Sequence, residues 1–200
     1  MTATAERVDK FEERRRELAD AALQTLSELG YARTSLREIA QNSAFSHGVL
    51  HYYFRDKVDL ITYCVRRYKA VCVQRYDEIV ADARTADALA LGFADAMAAT
   101  LVADATMHRL WYDLRSQALF EESFRADVGD IDQSLERMIW RIVSRYAELT
   151  GTPSRTDSAT TYAMFDGLFQ QALARHLEGA GSAAGDLRAG VRALLTLVCA

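Results

Sequence analysis

Between positions 120 and 149 an apolar side chain returns every third or fourth residue: Phe120, Phe124, Val128, Ile131, Leu135, Met138, Ile142, Tyr146 and Leu149. An α-helix needs that period to keep one face out of water, whereas the faces of a strand alternate every second residue. The same spacing recurs at Leu18, Ala22, Leu26 and Leu29, then at Leu60, Ile61, Cys64, Tyr68 and Cys72, and again at Leu187, Val191, Leu194 and Val198. No stretch alternates like a strand. The only proline in 200 residues, Pro153, falls in TGTPS, between two periodic segments. The pattern therefore predicts an all-α chain of about nine helices.

Capping residues predict where those helices begin and end. Gly30 closes a first helix over 9–29. Ser35-Leu36-Arg37-Glu38 has the form of a capping box and opens a short second helix. Ser46 caps a third over 47–54, and Asp56 caps one long helix over 56–82. Further helices are expected over 86–103, 106–119, 120–149 (with a kink at Gly129), 155–178 and, capped by Asp186, 186–198.

Charge is distributed unevenly. The chain carries a formal −4, yet between Tyr31 and Tyr76 stand eight bases and three acids, a surplus of +5 that leaves −9 elsewhere. A basic segment on an acidic body suits a face that meets phosphates. The three cysteines, Cys64, Cys72 and Cys199, lack zinc spacing and read as buried thiols of a reducing, cytoplasmic compartment. MTATAERVDKFEERRREL has no apolar core for a signal peptide. Segment 86–103 is apolar but holds Asp87 and Asp95, and a charge near the bilayer centre costs roughly 2.5–3.5 kcal/mol, which argues against a membrane span.

Chemistry concentrates in TSLREIAQNSAFSHGVLHYYFRDKVDLI, residues 34–61. His47 and His51 are four apart, a spacing that can ligate metal, but no third ligand follows at suitable spacing. Neither a nucleophile elbow nor a glycine-rich phosphate loop occurs, so no catalytic residue, metal or cofactor is assigned. Two short helices joined by a tight turn instead form a helix-turn-helix. Ser46, His47 and Val49 are short enough to approach base edges, and Gly48 permits close approach. The Tyr52 hydroxyl, the Lys57 ammonium and Thr34 can reach phosphates, while Arg37 lies on the outward side of its helix. Arg14, Arg15 and Arg16 fit equally a solvated face beside Glu12, Glu13 and Glu17 or an arm that touches DNA.

Thr34 before REIA, a small-residue turn, Ser46-His47-Gly48, an aromatic group closing at Phe54 and then Lys57 together resemble the TetR family of transcriptional regulators. The upstream AALQTLSELGYARTS is similar to that family's first helix, and WYDLRSQAL and FDGLFQQAL are similar to its choline-responsive subgroup. The resemblance implies a helix-turn-helix DNA-binding domain over 1–55 and a helical ligand-binding and dimerisation domain over 56–200. It implies a homodimeric repressor on a palindromic operator in double-stranded DNA, released by a small-molecule effector. The DNA contacts it implies are Thr34, Ser35, Arg37, Ser46, His47, Gly48, Val49, His51, Tyr52 and Lys57. In that family the position of His51 is often tyrosine, and that of His47 is often lysine or a small polar residue. An effector pocket is expected among Trp111, Arg115, Phe124, Met138, Met164, Phe165 and Phe169. Arg115 suits an anionic effector, whereas the rings with Asp166 suit a cation. The last two long helices, 155–178 and 186–198, are expected to pair with their copies in a second chain. Two rival readings are a helical dimeric adaptor that binds no DNA and, with less support, a metal-dependent enzyme using His47 and His51.

Overall fold

The computed structural model describes residues 2–199. Among them stand ten α-helices and no strand: α1 Thr2–Arg33, α2 Leu36–Gln41, α3 His47–Tyr53, α4 Lys57–Cys72, α5 Asp77–Asp82, α6 Ala86–Ala103, α7 Ala105–Gln117, α8 Arg125–Thr150, α9 Ser158–Leu177 and α10 Ala183–Val198. A single 3-10 turn, Glu122–Phe124, precedes α8. Packing divides the chain into two units, Met1–Tyr68 with Arg109–Val128, and Lys69–His108 with Gly129–Ala200.

In the first unit the chain leaves the regular part of α1 at Gly30, whose φ of 73° lies in the left-handed region that side chains avoid. Thr34 secures the exit by donating its hydroxyl to the Gly30 carbonyl at 2.7 Å. The capping box forms in both directions, Glu38 N–H to Ser35 Oγ at 3.2 Å and Ser35 N–H to Glu38 Oε2 at 2.7 Å. Ser46 accepts from Val49 N–H at 3.3 Å and starts α3, and Asp56 accepts from Asp59 N–H at 2.8 Å at the start of α4. Leu18, Ala22, Leu26, Leu36, Ile39, Leu50, Phe54, Leu60 and Ile61 are all buried. Removing such apolar surface from water supplies the main stabilisation of a small helical unit.

In the second unit α6 packs most extensively against α10 and more lightly against α9. Leu89, Phe93, Met97 and Leu101 of α6 are buried, as are Leu187, Val191, Leu195 and Val198 of α10. The window of α6 is apolar and long enough to cross a membrane, with mean hydropathy 1.5. Its two acids face arginines of α10, Asp87 with Arg192 at 3.0 Å and Asp95 with Arg188. Rings gather behind it: Tyr76 lies 5.1 Å from Phe93, and Phe93 lies 5.9 Å from Phe165.

Several boundaries differ from the sequence reading: α1 begins at Thr2 and not near 9, α7 ends at Gln117 and not 119, and four further elements shift or divide. The helix expected over 56–82 is two, α4 and α5, which accounts for ten helices against nine. Tight bonds from Gln74 N–H to Val71 O and Arg75 N–H to Cys72 O close α4, and Arg141 takes the Val73 carbonyl at 2.6 Å. α8 begins at Arg125, not near 120, leaving Leu119 75% and Phe120 84% exposed, and it runs unbroken through Gly129. α9 begins at Ser158, where Asp157 accepts from Thr160 N–H at 2.7 Å. Asp186 lies inside α10 and pairs with Arg175 at 2.8 Å, and Leu195 takes the inward place expected of Leu194.

Candidate nucleic-acid interface

The α3 helix has only two turns, and its residues divide by angle. His47, Gly48, His51 and Tyr52 fall within one arc at 100° per residue and are exposed. Leu50 and the Phe54 cap are buried, with Tyr53 half-buried between them. Tyr52 is 70% exposed, so its hydroxyl is presented outward. The His47 and His51 rings meet edge to face at 4.4 Å. Gly48 has no side-chain neighbour other than Ser46 Oγ at 4.0 Å from the position of an added Cβ. The result is an outward face of two imidazoles, a phenol and a bare stretch of backbone.

Arg37 is exposed on α2, Ser35 and Ser46 are exposed helix caps, Val49 is half-buried, and Lys57 is partly exposed at the start of α4. Thr34 is 2% exposed, its hydroxyl spent on Gly30. Phe11 supports the outward rings from α1, 4.8 Å from Tyr53 and 6.3 Å from Tyr52.

The three consecutive arginines have separate tasks. Arg15 is drawn inward: its guanidinium sits 4.8 Å over Phe54 and 4.5 Å over Tyr63, and pairs with Asp59 at 3.3 Å. Arg14 stacks 4.7 Å over Phe45 and pairs with Glu17. Arg16 bonds only the Glu12 carbonyl of its own helix, at 3.4 Å. Arg14 and Arg15 thus brace the head, which the sequence left open.

The basic surplus also contracts. Arg66 pairs with Asp127, Arg67 with Asp20 at 3.0 Å, and Arg75 with Asp104 at 2.9 Å, while Lys69 is buried. Arg33, Arg37 and Arg55 are exposed, Arg55 pairing with Asp59 at 3.5 Å, and Lys57 is partly exposed. Among the described residues no group of three or more His, Cys, Asp and Glu is placed to hold a metal ion.

Of the residues named for an effector, Trp111, Arg115 and Phe124 belong to the first unit, and Met138, Met164, Phe165 and Phe169 to the second. Trp111, Phe124, Met138, Phe165 and Phe169 are buried, whereas Met164 is 38% exposed. The structure adds a pair that the sequence reading did not single out. Lys69 and His108, both in the second unit, are 5% and 6% exposed, with Nζ 3.4 Å from Nδ1. A signal was present: Lys69 stands four residues after Val65 and three before Cys72, on the apolar stripe of α4.

Comparison with known proteins matches this geometry. Residues 18–64 fit the profile of the bacterial regulatory proteins of the tetR family, a span that starts on α1 and ends in α4. The HTH-type transcriptional regulator BetI of Escherichia coli is 38% identical over 53 residues. That match covers 26% of this chain and about a quarter, 27%, of the length of BetI. Residues 18–64 therefore resemble the head of the tetR-family helix-turn-helix regulators. Over about nine-tenths of its length the chain has the fold of solved transcriptional regulators. FadR of Bacillus subtilis, solved in complex with stearoyl-CoA, superposes with a TM-score of 0.70 at 18% identity, over 92% of this chain and 97% of that one. A regulator from Saccharomonospora viridis, solved in complex with choline, gives 0.73 at 17% identity, over 92% and 96%.

Proposed function

We propose that the chain is a dimeric transcriptional repressor that binds a palindromic operator and leaves it when a small molecule binds. The observation that carries this reading is the α3 face: His47, Gly48, His51 and Tyr52 point outward together from a tetR-type head. In this reading Ser46, His47, Val49 and His51 read base edges. Tyr52, Lys57, Arg37 and Ser35 address the phosphate backbone, while Thr34, expected from the sequence to do so too, instead holds the entry to α2 with its buried hydroxyl. Residues 1–55 act as the reading head, and 56–200 carry effector binding and dimerisation in the cytoplasm.

The dimer is assigned to α9 and α10. Ala163, Gly167, Gln171 and Ala174 of α9 and Ala189, Ala193 and Leu197 of α10 are exposed. Small residues let helices approach closely, and Leu197 is 60% exposed. A two-fold pair of heads would read half-sites about one helical turn of DNA apart, or a multiple of it. The solved regulators hold ligands as different as stearoyl-CoA and choline, so the effector here is proposed only as a small molecule held by the helical part.

Fluorescence anisotropy on DNA flanking its own gene tests the reading. Binding should weaken steeply as salt rises, because contacts to phosphate release counterions. Tyr52→Ala with Lys57→Ala should weaken it at least tenfold without changing the melting temperature. Affinity unaltered by the pair removes the contact assignment, and a stable dimer that binds no DNA at low salt favours the adaptor reading.

A further inference from the structure

Of the 24 basic residues only three are lysines, Lys10, Lys57 and Lys69. Lys10 is exposed and Lys57 partly so, whereas Lys69 is buried. Among the described residues the one buried lysine or arginine is a lysine, the residue able to shed a proton. An ammonium only donates, so His108, 3.4 Å away, must be neutral, accept at Nδ1 and keep its proton on Nε2. The imidazole also packs on Phe169, ring centroids 4.6 Å apart, and one turn earlier on the same helix Phe165 packs on Phe93. Groups whose charge acts on Lys69 include Cys72 and Arg75 nearby in the chain, Asp132 from α8 and Asp166 from α9. Asp132 also accepts from the Tyr162 hydroxyl at 2.6 Å. Burial, above all, holds the Lys69 ammonium well below the usual lysine range, at about 8.

We propose that Lys69 is a covalent receptor for a small uncharged aldehyde or ketone, which it takes up as an imine with Asp132 and Asp166 as counter-charges. The ammonium first releases a proton to solvent. The amine lone pair attacks the carbonyl carbon, a C–N bond forms, and the C=O π pair moves to oxygen to give a carbinolamine. That oxygen takes up protons and leaves as water while the nitrogen lone pair closes the C=N bond. The sum is carbonyl compound plus ammonium giving protonated imine plus water, with charge conserved and no oxidant or reductant. His108 is a positioning residue: accepting one amine N–H aims the lone pair at the carbonyl. The two aspartates favour the cationic imine and disfavour a carboxylate ligand. The surrounding phenyl rings favour an apolar carbonyl compound.

Benzaldehyde with cyanoborohydride, applied to the full chain without DNA from pH 6 to 9, tests this by peptide mass mapping. One reduced benzyl group is expected on Lys69, ahead of Lys10 and Lys57. Its rate should rise roughly tenfold per unit as pH approaches about 8 and then level off. Lys69→Arg, which keeps the cation, should abolish the adduct and leave the thermal melt unchanged. His108→Leu should slow labelling at Lys69 alone, and His108→Gln, which restores an acceptor, should recover part of it. Adducts confined to Lys10 and Lys57, or a Lys69 rate no higher than in the urea-unfolded chain, overturn the proposal. Because the readout needs no operator, it stands apart from whether the chain represses.

Discussion

His108 and Lys69 make the fold answer to pH in two separate windows. Burial, reinforced by the charges of Lys69 and Arg75, pushes His108 down to about 2, against 6.5 when solvated. Lys69 falls to about 8 from 10.5. In both cases the folded chain binds fewer protons than the unfolded one, so stability rises with pH between the folded and unfolded values. For His108 that stability is complete above 6.5 and drains away as the solution is acidified below it. For Lys69 it is gained only as pH climbs from about 8 to 10.5. Urea melts from pH 5 to 10 should show both slopes, each at most about 1.4 kcal/mol per pH unit. His108→Gln should flatten the acid limb and leave the alkaline one. At this scale the sequence was most legible where a bond is local: Ser35, Glu38, Ser46 and Asp56 cap as their spacing predicts. Lys69 and Arg15 were not legible, since their partners lie 39 and 44 residues away.

Helices α9 and α10 approach each other at a glycine. A Cβ at Gly190 would meet Leu168 Cδ1 at 3.0 Å and Cδ2 at 3.1 Å, whereas one at Gly185, on the same helix, meets nothing within 4 Å. Gly190→Val should therefore cost about 1–3 kcal/mol by overpacking. Gly185→Ala should add up to about 1 kcal/mol through helix propensity. Denaturant midpoints of the two variants should move in opposite directions, and a shift of the same sign would remove the close-approach account. Helix periods carried the identity of nearly every element, because amphipathic spacing is written within a single helix. Breaks were less legible: the turn after Cys72 depends on Arg141, which takes the Val73 carbonyl from another helix. The end of the stripe at 120–124 likewise failed to show, since Phe120 keeps the helical period while remaining 84% exposed.

At the scale of the whole molecule, self-association is the property most open to test. Leu197→Glu places a charge on the proposed α9–α10 interface, and sedimentation should show a dimer shifting to monomer, with operator affinity falling alongside it. A dimer that persists unchanged would move the interface elsewhere. The all-α class and the helix-turn-helix head could be read from the chain because periodicity and caps are local. The grouping of Arg109–Val128 with the head unit could not, because it joins segments forty residues or more apart through tertiary packing. The pairing of α6 with α10 bears on how the protein is made. α6 finds its main packing partner in α10, about eighty residues further along the chain, and its two acids find their arginines only there. While the ribosome is still adding those residues, the nascent chain carries an apolar helix with its counterpart unsynthesised. During those seconds of translation this segment is the natural target for chaperones, and a message cut short before α10 yields a product that remains one.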